Sequence, residues 1–135
     1  MRPIPSILLI PLAALCLSSC SLIKSAYSSQ AAGQAVSLNF LTLVTKGNYP
    51  AAYGLLAAAT KAAVPLTTLK TQGVKMNAYL GAAPATHFTG FNSTFGTSAH
   101  TDFSYYVSGS KNALSVTVEV VPQGNGWAVN SFVYQ

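Results

Sequence analysis

The sequence predicts an α+β fold, with N-terminal helices followed by a four-stranded antiparallel β-meander. Three observations predict it. Up to about residue 80 the apolar residues recur at helical spacing. After residue 80 the period changes, and the chain becomes rich in aromatic, β-branched and Thr residues. The gaps between the later runs are short and hold turn residues, which implies hairpins. Helices and strands segregated in this way pack as a helical layer on one sheet face.

The first helix is expected over "QAVSLNFLTLVT", residues 34–45, where Val36, Phe40 and Leu43 lie on one side with Leu38, Leu41 and Val44 alongside. Such a wide stripe suits burial against a sheet. Lys46-Gly47 ends it, with a cation in the last turn and a glycine for the left-handed exit. A second helix is expected in "GNYPAAYGLLAAAT", residues 47–60, with Asn48 as cap and Pro50 in the first turn. Tyr49, Ala52, Tyr53 and Leu56 repeat at helical spacing, and Gly54 weakens the helix in exchange for close packing. Pro65 breaks the chain or opens a third short helix, "LTTLKTQ", that stops at Gly73.

The strands are expected at residues 87–96, 99–108, 113–121 and 126–134, with turns at Thr97-Ser98, Gly109-Ser110-Lys111-Asn112 and Pro122-Gln123-Gly124-Asn125. The third alternates cleanly, Leu114, Val116, Val118 and Val120 against Ser115, Thr117 and Glu119. Continued across the sheet, that alternation puts Phe103, Tyr105, Val107, Trp127, Val129 and Val133 inside. Asp102, Ser104, Tyr106, Thr117, Glu119, Val121, Phe132 and Tyr134 fall outside.

Charge is sparse: seven Lys+Arg against two Asp+Glu in 135 residues. The lysines are scattered along the chain, whereas nucleic-acid binders cluster their basic residues, so no nucleic-acid partner is expected. Arg2 is the only charge before Lys24, and an apolar segment that ends in small residues lies between them. That is the layout of a secretory signal. Pro5 and Pro11 break the apolar run, which is too short for a membrane span of roughly 20 residues.

Leu17-Ser18-Ser19-Cys20 resembles the lipobox of bacterial lipoproteins. The resemblance implies a diacylglycerol on the Cys20 thiol and cleavage just before it, so that Cys16 leaves with the signal. Residues 1–19 are then a signal peptide, 20–33 a tether grading into the first helix, and 34–135 one domain. Several acyl chains anchor stably where one binds marginally. The domain is expected on the periplasmic or extracellular face of a bacterial membrane. Ser21, standing where an aspartate favours inner-membrane retention, points to an outer membrane where one exists.

"FLTLVTKGNYPAAYGLL" (40–56) and "GNGWAVNSFVY" (124–134) resemble the opening and the last strand of small nuclear transport factor 2-like, cystatin-type cone domains. The resemblance is to the uncharacterised exported bacterial branch and covers roughly residues 30–135. It implies a curved sheet wrapped around helices, with a pocket between them. It does not imply an activity, because this fold hosts enzymes and plain binding modules.

The enzymes of that superfamily use Asp, His or Tyr inside the cone. Here the alternation puts both Asp102 and Glu119 on the outer face, away from any cone interior. His100 and Asp102 share a strand side, but two ligands do not make a metal site, so no metal, cofactor or catalysis is expected. The candidate pocket is lined by Tyr53, Tyr79, His87, Phe88 and Tyr105. The candidate sheet-face interface is Asp102, Tyr106, Glu119, Phe132 and Tyr134. Three readings stay open. The first is a membrane-tethered module that binds an envelope protein or a second copy of itself. The second is a carrier or sensor of a small apolar ligand. The third is an isomerase- or dehydratase-like enzyme.

Anchoring has a direct check. Cys20→Ala is expected to move the domain from the membrane pellet to the soluble fraction and to abolish palmitate labelling. Continued anchoring of the variant would remove the lipoprotein reading.

Overall fold

The structure is a computed structural model that describes residues 30–135. Cys20, the expected signal peptide and most of the expected tether lie outside the described residues. Residues Ala31–Gln135 form one compact unit. It is an α+β unit with four helices ahead of an open antiparallel sheet of order β1-β2-β3-β4. None of these helices is long and apolar enough to cross a membrane.

Helix α1 covers residues 30–45. Its buried stripe is Gly33, Ser37, Phe40, Leu41 and Val44, spaced so that one face meets the sheet. The expected stripe was wider at one edge: Leu38 is 40% exposed. Gly33 sits against the rings of Phe103 and Trp127 and lets the backbone come close to them. The helix ends as expected, with Gly47 at φ 76°.

The expected second helix is two helices, α2 (Tyr49–Gly54) and α3 (Ala58–Ala63). Between them Leu55 closes a turn, Leu56 forms a parallel bridge with Val129, and Ala57 is extended. Ala57 N–H donates to Val129 C=O (2.7 Å), and Val129 N–H donates to Leu55 C=O (2.9 Å). These bonds satisfy an edge of the sheet that would otherwise stand open, and they outweigh local helix propensity there. Asn48 makes no side-chain cap, whereas Pro50 does occupy the first turn.

Helix α4 (Leu66–Leu80) runs through Gly73 rather than stopping there. Gly73 is the close-packing glycine, because a Cβ on it would overlap the Tyr49 ring. Gly54, expected in that role, has nothing within 4 Å of its Cβ position. Asn77 ties α4 to the end of α1 by donating to Val44 C=O (2.8 Å). The C-terminal carbonyls of α4 are taken up by the turn between β2 and β3. Lys111 N–H donates to Leu80 C=O (2.9 Å), and Asn112 Nδ2 donates to Tyr79 C=O (2.9 Å). Gly109 is required in that turn, since a Cβ would run into the Leu80 backbone.

The strands are β1 (Ala85–Thr94), β2 (His100–Ser108), β3 (Ala113–Gln123) and β4 (Gly126–Tyr134). Phe103, Tyr105, Val107, Leu114, Val116, Val118 and Val120 are buried beneath the helices, as the alternation required. Two bulges then alter the outcome at the edges. In β1 the pairing shifts between Phe88 and Gly90, so Phe88 lies opposite Tyr105 and Phe91 opposite Phe103. Both phenylalanines therefore face inward although they are three residues apart.

In β4 the pairing shifts at Glu119/Val120, with Asn130 as the extra residue between Val129 and Ser131. Beyond it the faces exchange. Phe132 and Tyr134 pack against the core, and the Phe132 ring meets Phe40 edge-on at 5.3 Å. Val133 is 59% exposed. The expected positions of Phe132, Tyr134 and Val133 are thus corrected. A one-residue insertion in a period of two turns every following side chain over.

The bulge can be tested by substitution. Phe132→Ala is expected to cost about 2–4 kcal/mol in chemical denaturation, as a large-to-small change against the core. Val133→Ser is expected within about 0.5 kcal/mol of the parent, as an exposed substitution. The reverse ranking would mean that β4 alternates without interruption.

Candidate functional site

The five residues expected to line one pocket do not converge. Tyr53 is half-buried, and its hydroxyl donates to Lys61 C=O and Val64 C=O, both at 3.0 Å. It braces α3 rather than opening a cavity. Tyr79 is exposed on α4. His87 pairs with Tyr106 and shares the outer sheet face with it. Phe88 and Tyr105 do meet on the inner face, ring centroids 5.8 Å apart.

Tyr105 is fully buried, and its hydroxyl lies 2.5 Å from Ser37 Oγ. Ser37 Oγ also lies 2.9 Å from Gln34 C=O. The Tyr105 hydroxyl is itself 3.4 Å from the same carbonyl, so the two hydroxyls and Gln34 C=O form one small cluster in which either hydroxyl can donate to the other. Burial raises the Tyr105 pKa, and the bond from Ser37 opposes part of the rise. The phenol is a satisfied core group with no substrate space before it.

The inner face is covered unevenly. Phe88 and Phe91 stand against Tyr105 and Phe103 yet remain 44% and 52% exposed. Phe95, just past the strand, is 89% exposed. An open groove of about 470 Å³ runs between α1 and the start of β1, lined by Leu38, Thr42, Lys46, Pro84 and Thr86 among others. Thr86 and Phe88 share the inner face, so groove and aromatic row lie along the same strand. A second hollow, about 170 Å³, lies among Leu56, Thr60, Val64, Leu69, Gln72 and Phe132.

The outer face carries the polar group. Asp102 lies directly opposite Glu119 in the β2–β3 register. His100 Nε2 is 4.0 Å from Asp102 Oδ2. One ligand atom from each of His100, Asp102 and Glu119 lies within 4.8 Å of the others, and all three residues are half-buried. His100 Nδ1 is 2.7 Å from Ser98 C=O. Asn130 Nδ2 donates to Glu119 Oε1, and Thr60 Oγ1 lies 3.1 Å from Asn130 Oδ1. Of the expected interface, Asp102, Tyr106 and Glu119 are on this face, and Phe132 and Tyr134 are not.

Glu119 is the member that residue-by-residue reading leaves apart from His100 and Asp102. The signal for it is the hairpin itself. A turn of Gly109–Asn112 closes Ser108 against Ala113, and counting back pairs Asp102 with Glu119. The exposed inner face at β1 has no comparable signal, because it depends on where α1 stops covering the sheet.

Comparison with family models, with curated proteins and with solved structures finds no match to this chain.

Tyr105 gives a pH prediction. Its folded-state pKa is raised above the unfolded value of about 10. Its contribution to stability is therefore complete below pH of about 10 and is lost as pH rises from there through the folded pKa. Stability of the parent is expected to fall in that alkaline window, and Tyr105→Phe is expected to flatten the fall. At neutral pH that variant is expected to cost no more than about 1.5 kcal/mol, since Ser37 keeps the Gln34 carbonyl. An unchanged alkaline profile would show that another group governs it.

Proposed function

We propose that this protein is a lipid-anchored, exported binding module without catalytic activity, which receives an extended segment of an envelope protein along β1. Anchoring rests on the lipobox resemblance at Leu17–Cys20. The observation that carries the binding surface is the row of Phe88 and Phe91, which face inward and are still half exposed. β1 is ten residues long and stands at the end of the sheet order, so its outer backbone edge has no strand partner among the described residues. Such an edge is a template for strand addition, with main-chain bonds for affinity and side-chain contacts for specificity. The groove beside it is open to solvent rather than an enclosed cavity, which suits a chain laid across it. Lys46 at its rim favours an acidic group on the incoming segment.

The small-ligand reading has less support. The hollow beside α3 and α4 is about 170 Å³, below the roughly 300 Å³ at which ligand pockets begin, and the groove of about 470 Å³ beside β1 is open rather than enclosed. The enzymatic reading has least. Asp102 and Glu119 stand on the outer face, and Tyr105 is buried against Ser37, which leaves Lys46 as the one ionisable side chain among the residues that line the β1 groove.

The test is photocrosslinking in cells with a photoreactive phenylalanine analogue at position 91. A discrete adduct with another envelope protein, lost when Phe88→Ser is added, is expected. An adduct at twice the chain mass would replace that partner with a second copy of this protein. No adduct at position 91, with one appearing at Tyr106, would move the interface to the outer face and overturn the β1 assignment.

A further inference from the structure

The chain has two carboxylates in 135 residues, and the fold puts them face to face. Like charges directly opposed across a sheet are destabilising. Among the described residues, the only ion-pair partner of either is His100, which is charged only when protonated. The chain has six lysines, and none of those described forms an ion pair with either carboxylate. An arrangement that gathers both acidic side chains at one point favours a cation there.

We propose that His100, Asp102 and Glu119 bind a divalent transition-metal ion of the zinc class on the outer face of the sheet. One imidazole nitrogen with two carboxylate oxygens is a zinc-compatible donor set. The tautomer is decided by Ser98. A carbonyl only accepts, so the His100 nitrogen 2.7 Å from it, Nδ1, carries the proton. Nε2 is left with its lone pair on the side of Asp102. That is the second-layer bond by which proteins orient a metal-binding histidine. Glu119 is held in the same manner by the Asn130 amide, which Thr60 in turn orients.

The donor atoms lie within 4.8 Å of one another. A zinc ion bonded at about 2.0–2.2 Å draws its donors to roughly 3–3.5 Å. Closing the site takes about an ångström of movement by half-buried side chains, with the backbone pairing kept. Three protein ligands leave a fourth position for water or for a donor from another molecule. The ion would link β2 to β3 and, through Asn130, to the bulge of β4. The site is independent of the β1 groove and of the lipid anchor.

The experiment titrates Zn²⁺ into the full chain carrying Cys16→Ser and Cys20→Ser, held in detergent, with calorimetry and thermal melting as readouts. Co²⁺ serves as a spectroscopic probe. One equivalent of Zn²⁺ is expected to bind and to raise the melting temperature. Asp102→Asn and Glu119→Gln are each expected to weaken binding at least tenfold. Without metal both variants are expected to melt at or above the parent, because the opposed charges are gone, which separates loss of binding from loss of folding. His100→Ala is expected to abolish the Co²⁺ spectrum, and His87→Ala to leave everything unchanged. No stoichiometric binding, or binding that survives Asp102→Asn and Glu119→Gln, would overturn the assignment.

Discussion

One extra residue in the last strand shapes most of this domain. Asn130 interrupts the pairing of β3 with β4. Past it, Phe132 turns inward to meet Phe40 of α1, and Tyr134 follows. Before it, Val129 faces the core and also offers its backbone to residues 55–57. That pairing covers an edge that would otherwise be open to aggregation. The Asn130 side chain then joins Thr60 on one side to Glu119 on the other. A single insertion thereby sets the core composition, the break between α2 and α3, and the support of the outer acidic group.

A second constraint sits at the opposite end of the sheet. The C-terminus of α4 has carbonyls that its own helix cannot satisfy. The β2–β3 turn supplies the donors, from Lys111 and Asn112. The contact is close enough to require glycine at 109. A turn clamped in this way holds the hairpin register, and a slip of one residue would turn every side chain over. The same register opposes Asp102 to Glu119 and brings His100 beside them. The helix end and the polar cluster on the far face are thus fixed by one set of bonds.

The two faces of the sheet divide the work. The inner face is filled by α1 where β2, β3 and β4 lie beneath it, down to the buried Tyr105–Ser37 pair. It is left uncovered at β1, where Phe88 and Phe91 show half of their surface. Apolar side chains on a free edge favour a polypeptide partner. The outer face is polar at its centre and holds both acidic side chains. The proposed interface and the proposed ion site lie on opposite faces and do not compete for the same residues.

Period and turn chemistry were enough to determine that helices precede a four-stranded meander, which residues of β2 and β3 face inward, and that both carboxylates face outward. Those features follow from local rules: a period of 3.6 or 2, and short gaps that permit only hairpins. The tertiary structure decided the rest. α4 continues through Gly73 because Tyr49 needs the space, which no local propensity records. The stretch at Leu55–Ala57 leaves its helix because Val129 offers backbone partners far along the chain. Phe132 and Tyr134 exchange faces with Val133 because a bulge depends on pairing across strands, whereas alternation is read along one strand. The five expected pocket residues separate for the same reason: a shared aromatic character says nothing of which surface each one meets. Where a side chain's position depended on its own strand or helix, the sequence was sufficient; where it depended on contacts between distant elements, only the assembled fold could decide it.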